Sequence, residues 1–169
     1  LEFVYLTGLT LDDLLARVAD LPERSVIFYV HVFQDGSGKT FAPADVLELL
    51  SRRSNAPIYG HSDAYVGRGA VGGRVVRFEA EGTSAARLGL RILAGERPET
   101  IPVPAANANT DMFDWRELRR WGIREGALPP DSVVRHKPPD FWDVYRWHIV
   151  GGASLCVVET LLVAGLLVQ

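Results

Sequence analysis

Cysteine is almost absent from this sequence of 169 residues. The one cysteine, Cys156, excludes an intrachain disulfide, and it lies in an apolar run where the role of a small hydrophobic residue is expected. The net charge of −3 comes with no basic stripe, so the sequence predicts no nucleic-acid partner. A basic leader with a short apolar core is missing, and Leu1 is not a start methionine. We therefore expect the true N-terminus to lie upstream.

Motifs of catalysis and metal binding are also missing. Neither HExxH nor CxxC occurs, and no metal-ligand spacing is found among the four histidines, which are His31, His61, His136 and His148. No GxSxG elbow is present, and no serine is placed with a plausible base. We expect no catalytic residue, no metal and no cofactor in this segment.

The segment Gly36–Thr40 superficially resembles a phosphate-binding loop. That motif needs a glycine five positions before its Gly-Lys pair, and Phe33 occupies the position here. A helix should also begin at the lysine, but Phe41 and Pro43 intervene. A solvated turn is the better interpretation.

Apolar patterning predicts strands that alternate with helices. The composition, 47% hydrophobic and 23% charged, suits one ordinary globular domain. Predicted strands are Glu2–Leu6, Ser25–Phe33, Pro57–Gly60, Val75–Phe78 and Thr100–Pro104. Predicted helices begin at Thr10, begin at Pro43, span Thr83–Ala94 and run from Asp114 to Trp121. Such alternation requires crossover connections and predicts an α/β domain with a mainly parallel sheet, in which the apolar run Ser25–Phe33 is buried on both faces.

The C-terminal part of the sequence predicts a transmembrane helix over residues 149–168. These twenty residues are apolar except for Ser154, Glu159 and Thr160, and at about 1.5 Å per residue they match a bilayer core. The preceding segment, residues 141–148, contains Phe141, Trp142, Tyr145, Arg146 and Trp147, which suit a membrane interface. The alternative is a buried C-terminal helix of a soluble domain.

A charge at Glu159 costs about 2.5–3.5 kcal/mol at the centre of a span, which eleven Leu, Ile and Val residues can offset. We expect Glu159 to be protonated or to face the second helix of a homodimer; the alternative is a tolerated polar passenger.

Polar residues follow two predicted strands, at the point where ligands bind in open α/β sheets. We predict a site for a small polar ligand there, formed by Gln34, Asp35, His61, Asp63, Tyr65 and Gly69. The alternative is that these are ordinary turn residues, because Asp, Ser and Gly dominate turns.

An ordered set of short motifs extends over nearly the whole chain. The motifs are Leu6–Leu9, Leu21–Ile27, Phe33–Phe41, Ala56–Gly60, Gly69–Gly73, Phe78–Gly82, Ile92–Glu96, Phe113–Leu118, Trp121–Ile123 and Phe141–Trp147. Their order and spacing resemble the ABC-transporter substrate-binding-protein-like sensor domains of bacterial sensor histidine kinases.

The resemblance implies a type I periplasmic-binding-protein-like fold, with two α/β lobes, a hinge and a ligand in the cleft. Residues 1 to about 76 would form the second lobe, and the helix from Thr83 and the strand near Thr100 would return to an incomplete first lobe. Residues 1–140 would be the C-terminal part of the sensor domain, residues 141–148 a juxtamembrane segment, and residues 149–168 the span.

The resemblance also implies a function and a location. Ligand-linked lobe closure would signal through the span to a cytoplasmic histidine kinase and its response regulator. The protein would lie in the bacterial inner membrane, with residues 1–148 in the periplasm. The alternatives are the substrate-binding component of an ABC transporter and a membrane-tethered α/β enzyme, which the missing nucleophile and base disfavour.

Overall fold

The computed structural model describes residues 2–102, 109–139 and 141–168, with backbone alone at residues 143, 158–159 and 161–168. The chain divides into two compact units, Leu1–His136 and Lys137–Gln169. The helices are α1 (Leu11–Ala19), α2 (Pro43–Arg53), α3 (Phe78–Leu93), α4 (Trp115–Arg120) and α5 (Phe141–Val168). The strands are β1 (Ile27–Tyr29), β2 (Ile58–Gly60), β3 (Gly72–Val76), β4 (Asn109–Asp114) and β5 (Val133–Arg135).

Short-range features of the sequence determine where three of the helices begin: a capping side chain in α1 and α4, and a proline in α2. The Thr10 hydroxyl accepts a hydrogen bond from the backbone N–H of Asp13 at the start of α1, and the hydroxyl donates to the Asp13 carboxylate at 2.7 Å. Proline occupies the first turn of α2, where its missing N–H costs nothing. Asp114 caps α4 by accepting from the backbone N–H of Arg116. These starts confirm the sequence predictions.

The five strands form one mostly parallel sheet in the order β1-β2-β3-β4-β5. Strands β1, β2 and β3 are parallel, β4 is antiparallel to β3, and β5 is parallel to β4. The α/β class with flanking helices is therefore confirmed. The sheet has two carboxyl edges, because β4 and β5 run opposite to the other three strands.

The hydrophobic core has two parts. Helices α1 and α2 pack Leu14, Val18, Val46, Leu47 and Leu50 against Tyr29 and Ile58 of the sheet. In a smaller cluster, Leu118 of α4 packs against Phe113 of β4 and against Val71, which directly precedes β3. The first part covers only one face of β1, so Phe28 is 66% exposed while Tyr29 is buried. The prediction that this strand is buried on both faces was therefore wrong.

Several predicted element boundaries were also wrong. Glu2–Leu6 forms no strand, and only Ile27–Tyr29 of the run Ser25–Phe33 is in the sheet. Among the described strands β1 pairs only with β2, which is equally short. Helix α3 begins at Phe78 rather than at Thr83, and Thr100 closes a 3-10 turn. Residues 103–104 of the predicted strand lie outside the described residues.

Helix α5 is continuous over 28 residues. Every side chain described in it is exposed, including Cys156. Among the described residues, no helix combines the length and the apolar content that crossing a membrane requires. The side chains of Glu159 and of residues 161–168 lie outside the part that the structure describes, so the sequence predictions made for them stay predictions.

Candidate ligand-binding site

The predicted site residues lie at two different edges of the sheet. His61 directly follows β2, and the next residue, Ser62, forms a parallel bridge with Val76 at the end of β3. His61 therefore lies at the carboxyl edge of the first three strands. Gly72, at the start of β3, pairs with Phe113 near the end of β4. Gly69, three residues before Gly72, thus belongs to the opposite edge, and the structure does not bring it to His61.

The Asp35 carboxylate accepts hydrogen bonds from the loop that follows β1 and from the first residue of helix α1. Its Oδ1 accepts from the backbone N–H of Ser37 at 2.9 Å and of Lys39 at 3.1 Å, and from the Ser37 hydroxyl at 2.6 Å. Its Oδ2 accepts from the backbone N–H of Leu11, the first residue of α1, at 3.0 Å. The hydrogen bond from the Ser37 hydroxyl, with the backbone donors, lowers the pKa of Asp35 to about 2. Both carboxylate oxygens are therefore engaged within the protein.

Gln34 closes the same loop. Its side-chain amide donates to the carbonyl of Gly38 at 2.9 Å, and its backbone bridges to Thr40. Gln34 and Asp35 are thus brought together, and the hydrogen bonds of both are directed within the loop.

His61 and Tyr65 belong to a group of rings at the ends of β1 and β2. We call this group the imidazole cluster; its members are Tyr29, His31, Phe33, His61 and Tyr65. The rings of His61 and Tyr65 meet edge to face with centroids 5.7 Å apart, and the rings of His31 and His61 are 6.3 Å apart. Successive ring contacts join the five members, so the two imidazoles of His31 and His61 lie beside the aromatic rings of Phe33 and Tyr65.

The two tyrosines of the imidazole cluster are anchored by their hydroxyls. Tyr65 donates to the carbonyl of Val30 at 2.9 Å, and Tyr29 donates to the carbonyl of Pro43 at 2.7 Å. Burial raises the pKa of Tyr29 to about 12 and also raises the pKa of Tyr65. Both phenols are therefore neutral donors at physiological pH, and they hold the rings against β1 and α2.

One polar atom of the imidazole cluster has no hydrogen-bond partner among the described residues. His61 Nδ1 is buried, and no hydrogen-bond partner for it is found within the described part of the chain. A buried ring nitrogen without a partner is uncommon, because leaving it unpaired costs the free energy of its lost hydration. Water or a ligand that reaches this nitrogen would remove that cost.

Asp63 lies next to the imidazole cluster in sequence. It begins the 3-10 turn Asp63–Tyr65, which Ser62 caps by accepting from the backbone N–H of Ala64 at 3.2 Å. The Asp63 side chain is half-buried. The turn determines where Tyr65 lies, so Asp63 and Tyr65 are brought together at this edge.

Gly69 packs directly on helix α2. Its φ of +102° is a left-handed conformation, and a Cβ there would overlap the side chain of Ser51. Gly69 therefore permits close packing between α2 and the glycine-rich loop Gly67–Val71 that precedes β3, away from the imidazole cluster.

A polar group that the sequence did not predict lies where β4 and β5 end. The buried carboxylate of Asp114 contacts the Arg116 guanidinium at 2.7 and 3.1 Å, and His136 Nδ1 lies 3.1 Å from Asp114 Oδ2. Burial alone would raise the pKa of Asp114, but the hydrogen bonds and charge of Arg116, with His136, outweigh it and lower the pKa. The position of His136 directly after a strand was the available signal, but β5 itself was not predicted.

The comparisons with known proteins bear on the fold alone. No family model matches the chain, and no curated protein matches it. A solved structure described as the crystal structure of a conserved domain protein from Vibrio cholerae O1 biovar El Tor str. N16961 matches with a TM-score of 0.50 and 20% identity. The match covers 74% of this chain and 41% of that one, so the chain spans about two fifths of the structure that it resembles. At this level of identity, the similarity extends to the arrangement of helices and strands.

Proposed function

We propose that this chain is the extracytoplasmic small-molecule sensing region of a membrane-bound sensor histidine kinase. Ligand binding between two lobes of a type I periplasmic-binding-protein-like domain would signal through α5 to a cytoplasmic kinase region and its response regulator. The segment itself performs no chemistry in this proposal. The observation that carries it is the placement of the imidazole cluster at the carboxyl edge of a parallel α/β sheet.

The chemistry of that edge favours a small polar ligand with an aromatic or planar part. Ligands of open α/β sheets bind beyond the carboxyl ends of the strands, which is where His31, His61 and Tyr65 lie. A donor or acceptor on the ligand would satisfy the buried Nδ1 of His61. The rings of His31 and Phe33, 4.8 Å apart, would pack against the planar part.

The membrane part of the proposal rests on α5 and its sequence. One uninterrupted helix of 28 residues is about 42 Å long, and that length exceeds the thickness of the hydrocarbon core of a bilayer. Residues 149–168 are apolar in sequence, and Trp142, Tyr145 and Trp147 precede them as interface residues would. We propose that this helix spans the bacterial inner membrane as part of a homodimer, with residues 1–148 in the periplasm.

Ligand binding is tested by a thermal-shift screen of the whole chain in detergent against amino acids, sugars and aromatic acids. A ligand of the imidazole cluster should raise Tm, and His61→Phe, which keeps a ring but loses both nitrogens, should abolish the shift. His148→Phe is the matched control, because His148 belongs to α5. A shift that survives His61→Phe, or no shift across the screen, would contradict binding at this edge.

Membrane topology is tested by single-cysteine labelling. Cys156 is replaced by alanine, and Glu23→Cys places a thiol on an exposed position of the sensing unit. An impermeant maleimide should label that thiol in cells whose outer membrane alone has been permeabilised. Labelling only after the inner membrane is broken, or a protein that stays in solution without detergent, would overturn the proposed location.

A further inference from the structure

The last residue of the first compact unit, His136, is held by two segments that are distant in sequence. On one side His136 Nδ1 lies 3.1 Å from the buried Asp114 carboxylate. On the other side its ring packs on Gly67, where a Cβ would lie 2.8 Å from His136 Cε1. The next residue, Lys137, begins the second unit. His136 is therefore the point at which the chain leaves the sheet.

The backbone at both contact points is held in an uncommon conformation. His136 has a φ of +58° and Gly67 a φ of +101°, both in the left-handed region. A non-glycine residue persists there only where its surroundings hold it, because the conformation costs free energy. The contacts with Asp114 and Gly67 supply that restraint for His136.

Arg116 connects the same two segments a second time. Its guanidinium pairs with Asp114 through Nε and Nη2, and Nη2 also donates to the carbonyl of Gly67 at 3.3 Å. Asp114 is buried, whereas the side chains of Arg116 and His136 are 53% and 42% exposed. The buried carboxylate of Asp114 thus positions the side chains of Arg116 and His136. Through Arg116 it also positions the backbone carbonyl of Gly67.

We propose an exit latch, formed by Gly67, Asp114, Arg116 and His136, that couples the glycine-rich loop Gly67–Val71 to the point where the chain leaves for α5. A displacement of the loop at Gly67 moves the His136 ring, and residues 133–139, which contain His136, move with the ring. The use of this latch in signalling rests on the proposed function, whereas the coupling between loop and exit does not.

Hydrogen exchange of the whole chain in detergent, read by mass spectrometry, tests the coupling. Gly67→Ala places a methyl group 2.8 Å from His136 Cε1, so the ring must shift, and we expect its contact with Asp114 to weaken. Exchange over residues 133–139 should then rise about tenfold, as expected when a polar contact with a charged group is lost. Gly95→Ala is the matched control, because Gly95 has a φ of +98° and nothing within 4 Å of an added Cβ.

A second pair of variants separates the polar contact from ring packing. His136→Phe keeps a ring on Gly67 but removes Nδ1, and it should raise exchange at residues 133–139 and also at residues 66–71. His136→Asn retains an N–H donor near Asp114 and tolerates a positive φ, so exchange over residues 133–139 should stay near that of the wild type. This pair also decides the matter if Gly67→Ala does not fold.

Equal effects of Gly67→Ala and Gly95→Ala on residues 133–139, or no effect of His136→Phe there, would overturn the latch. So would a loss of protection in His136→Asn as large as that in His136→Phe. These measurements need neither ligand nor membrane insertion, so failure of the receptor proposal and failure of the latch give different results.

Discussion

The Asp35 carboxylate accepts a hydrogen bond from the backbone N–H of Leu11, 24 positions earlier in the chain. This contact fastens the loop after β1 to the first residue of α1, where the helix would otherwise leave an N–H without a partner. A residue predicted to bind ligand therefore has a structural task that occupies both of its oxygens.

Acidification should lower the free energy of unfolding, because it protonates Asp35. The pKa falls from 3.8 to about 2 on folding, so this group stabilises the folded state above pH 3.8 and loses that effect as the pH drops towards 2. Asp35→Asn should unfold more readily at neutral pH and show a smaller further loss over this interval. Urea unfolding followed by circular dichroism at several pH values measures both. An identical pH dependence in the two proteins would contradict the role of the carboxylate.

Removal of the Tyr65 hydroxyl should destabilise the fold modestly. Tyr65→Phe leaves the carbonyl of Val30 without its donor and should lower the free energy of unfolding by about 1 kcal/mol. The same change at Tyr5, which is 82% exposed, is the control and should have almost no effect. Equal losses in the two variants, measured by urea unfolding, would show that the buried hydrogen bond is not the cause.

Truncation of Leu47 should be among the most damaging changes in α2. Its side chain is fully buried between α1 and the sheet, so Leu47→Ala removes contacts and leaves a cavity, with a cost of about 2–5 kcal/mol. Leu49→Ala in the same helix, at a position 42% exposed, should cost far less. The difference between the two free energies of unfolding is the measurement, and a difference near zero would contradict the assigned core.

Neutralisation of Asp114 should destabilise the edge where β4 and β5 end. Asp114→Asn removes the charge that faces Arg116 and His136 and should cost about 1–3 kcal/mol at neutral pH. Because folding lowers the pKa of Asp114, the stabilisation is present above the ordinary pKa of an aspartate and is lost as the pH falls. The free-energy difference between variant and wild type should therefore shrink on acidification. A constant difference would refute this.

Local chemistry made part of the fold predictable. Thr10, Pro43 and Asp114 specify helix starts through contacts within three residues or through a fixed backbone angle, so the starts of α1, α2 and α4 could be read from the sequence. Strand β4 could not be predicted in this way, because three of its six residues, Asn109, Asp111 and Asp114, are of types that are depleted in strands. Its place in the sheet comes from pairing with β3, which is a tertiary contact.

The candidate site was predictable to a similar degree. His61 and Tyr65 follow a recognisable strand, so their location at a sheet edge could be expected. The engagement of Asp35 with Leu11 and of His136 with Asp114 depends on segments far apart in the chain. Spacing within one segment carries no information about such contacts.

Helix α3 buries none of its sixteen residues and contains Gly82 and Gly89, which weaken a helix by about 1 kcal/mol each. Ala80, Ser84, Leu88 and Gly89 are half-buried, so packing contributes little, and most of the stability comes from the helix backbone and from short-range pairs such as Arg91 with Glu96. Unwinding of α3 would cost the sheet little, so this stretch is a natural first target for proteases while the two-part core remains intact.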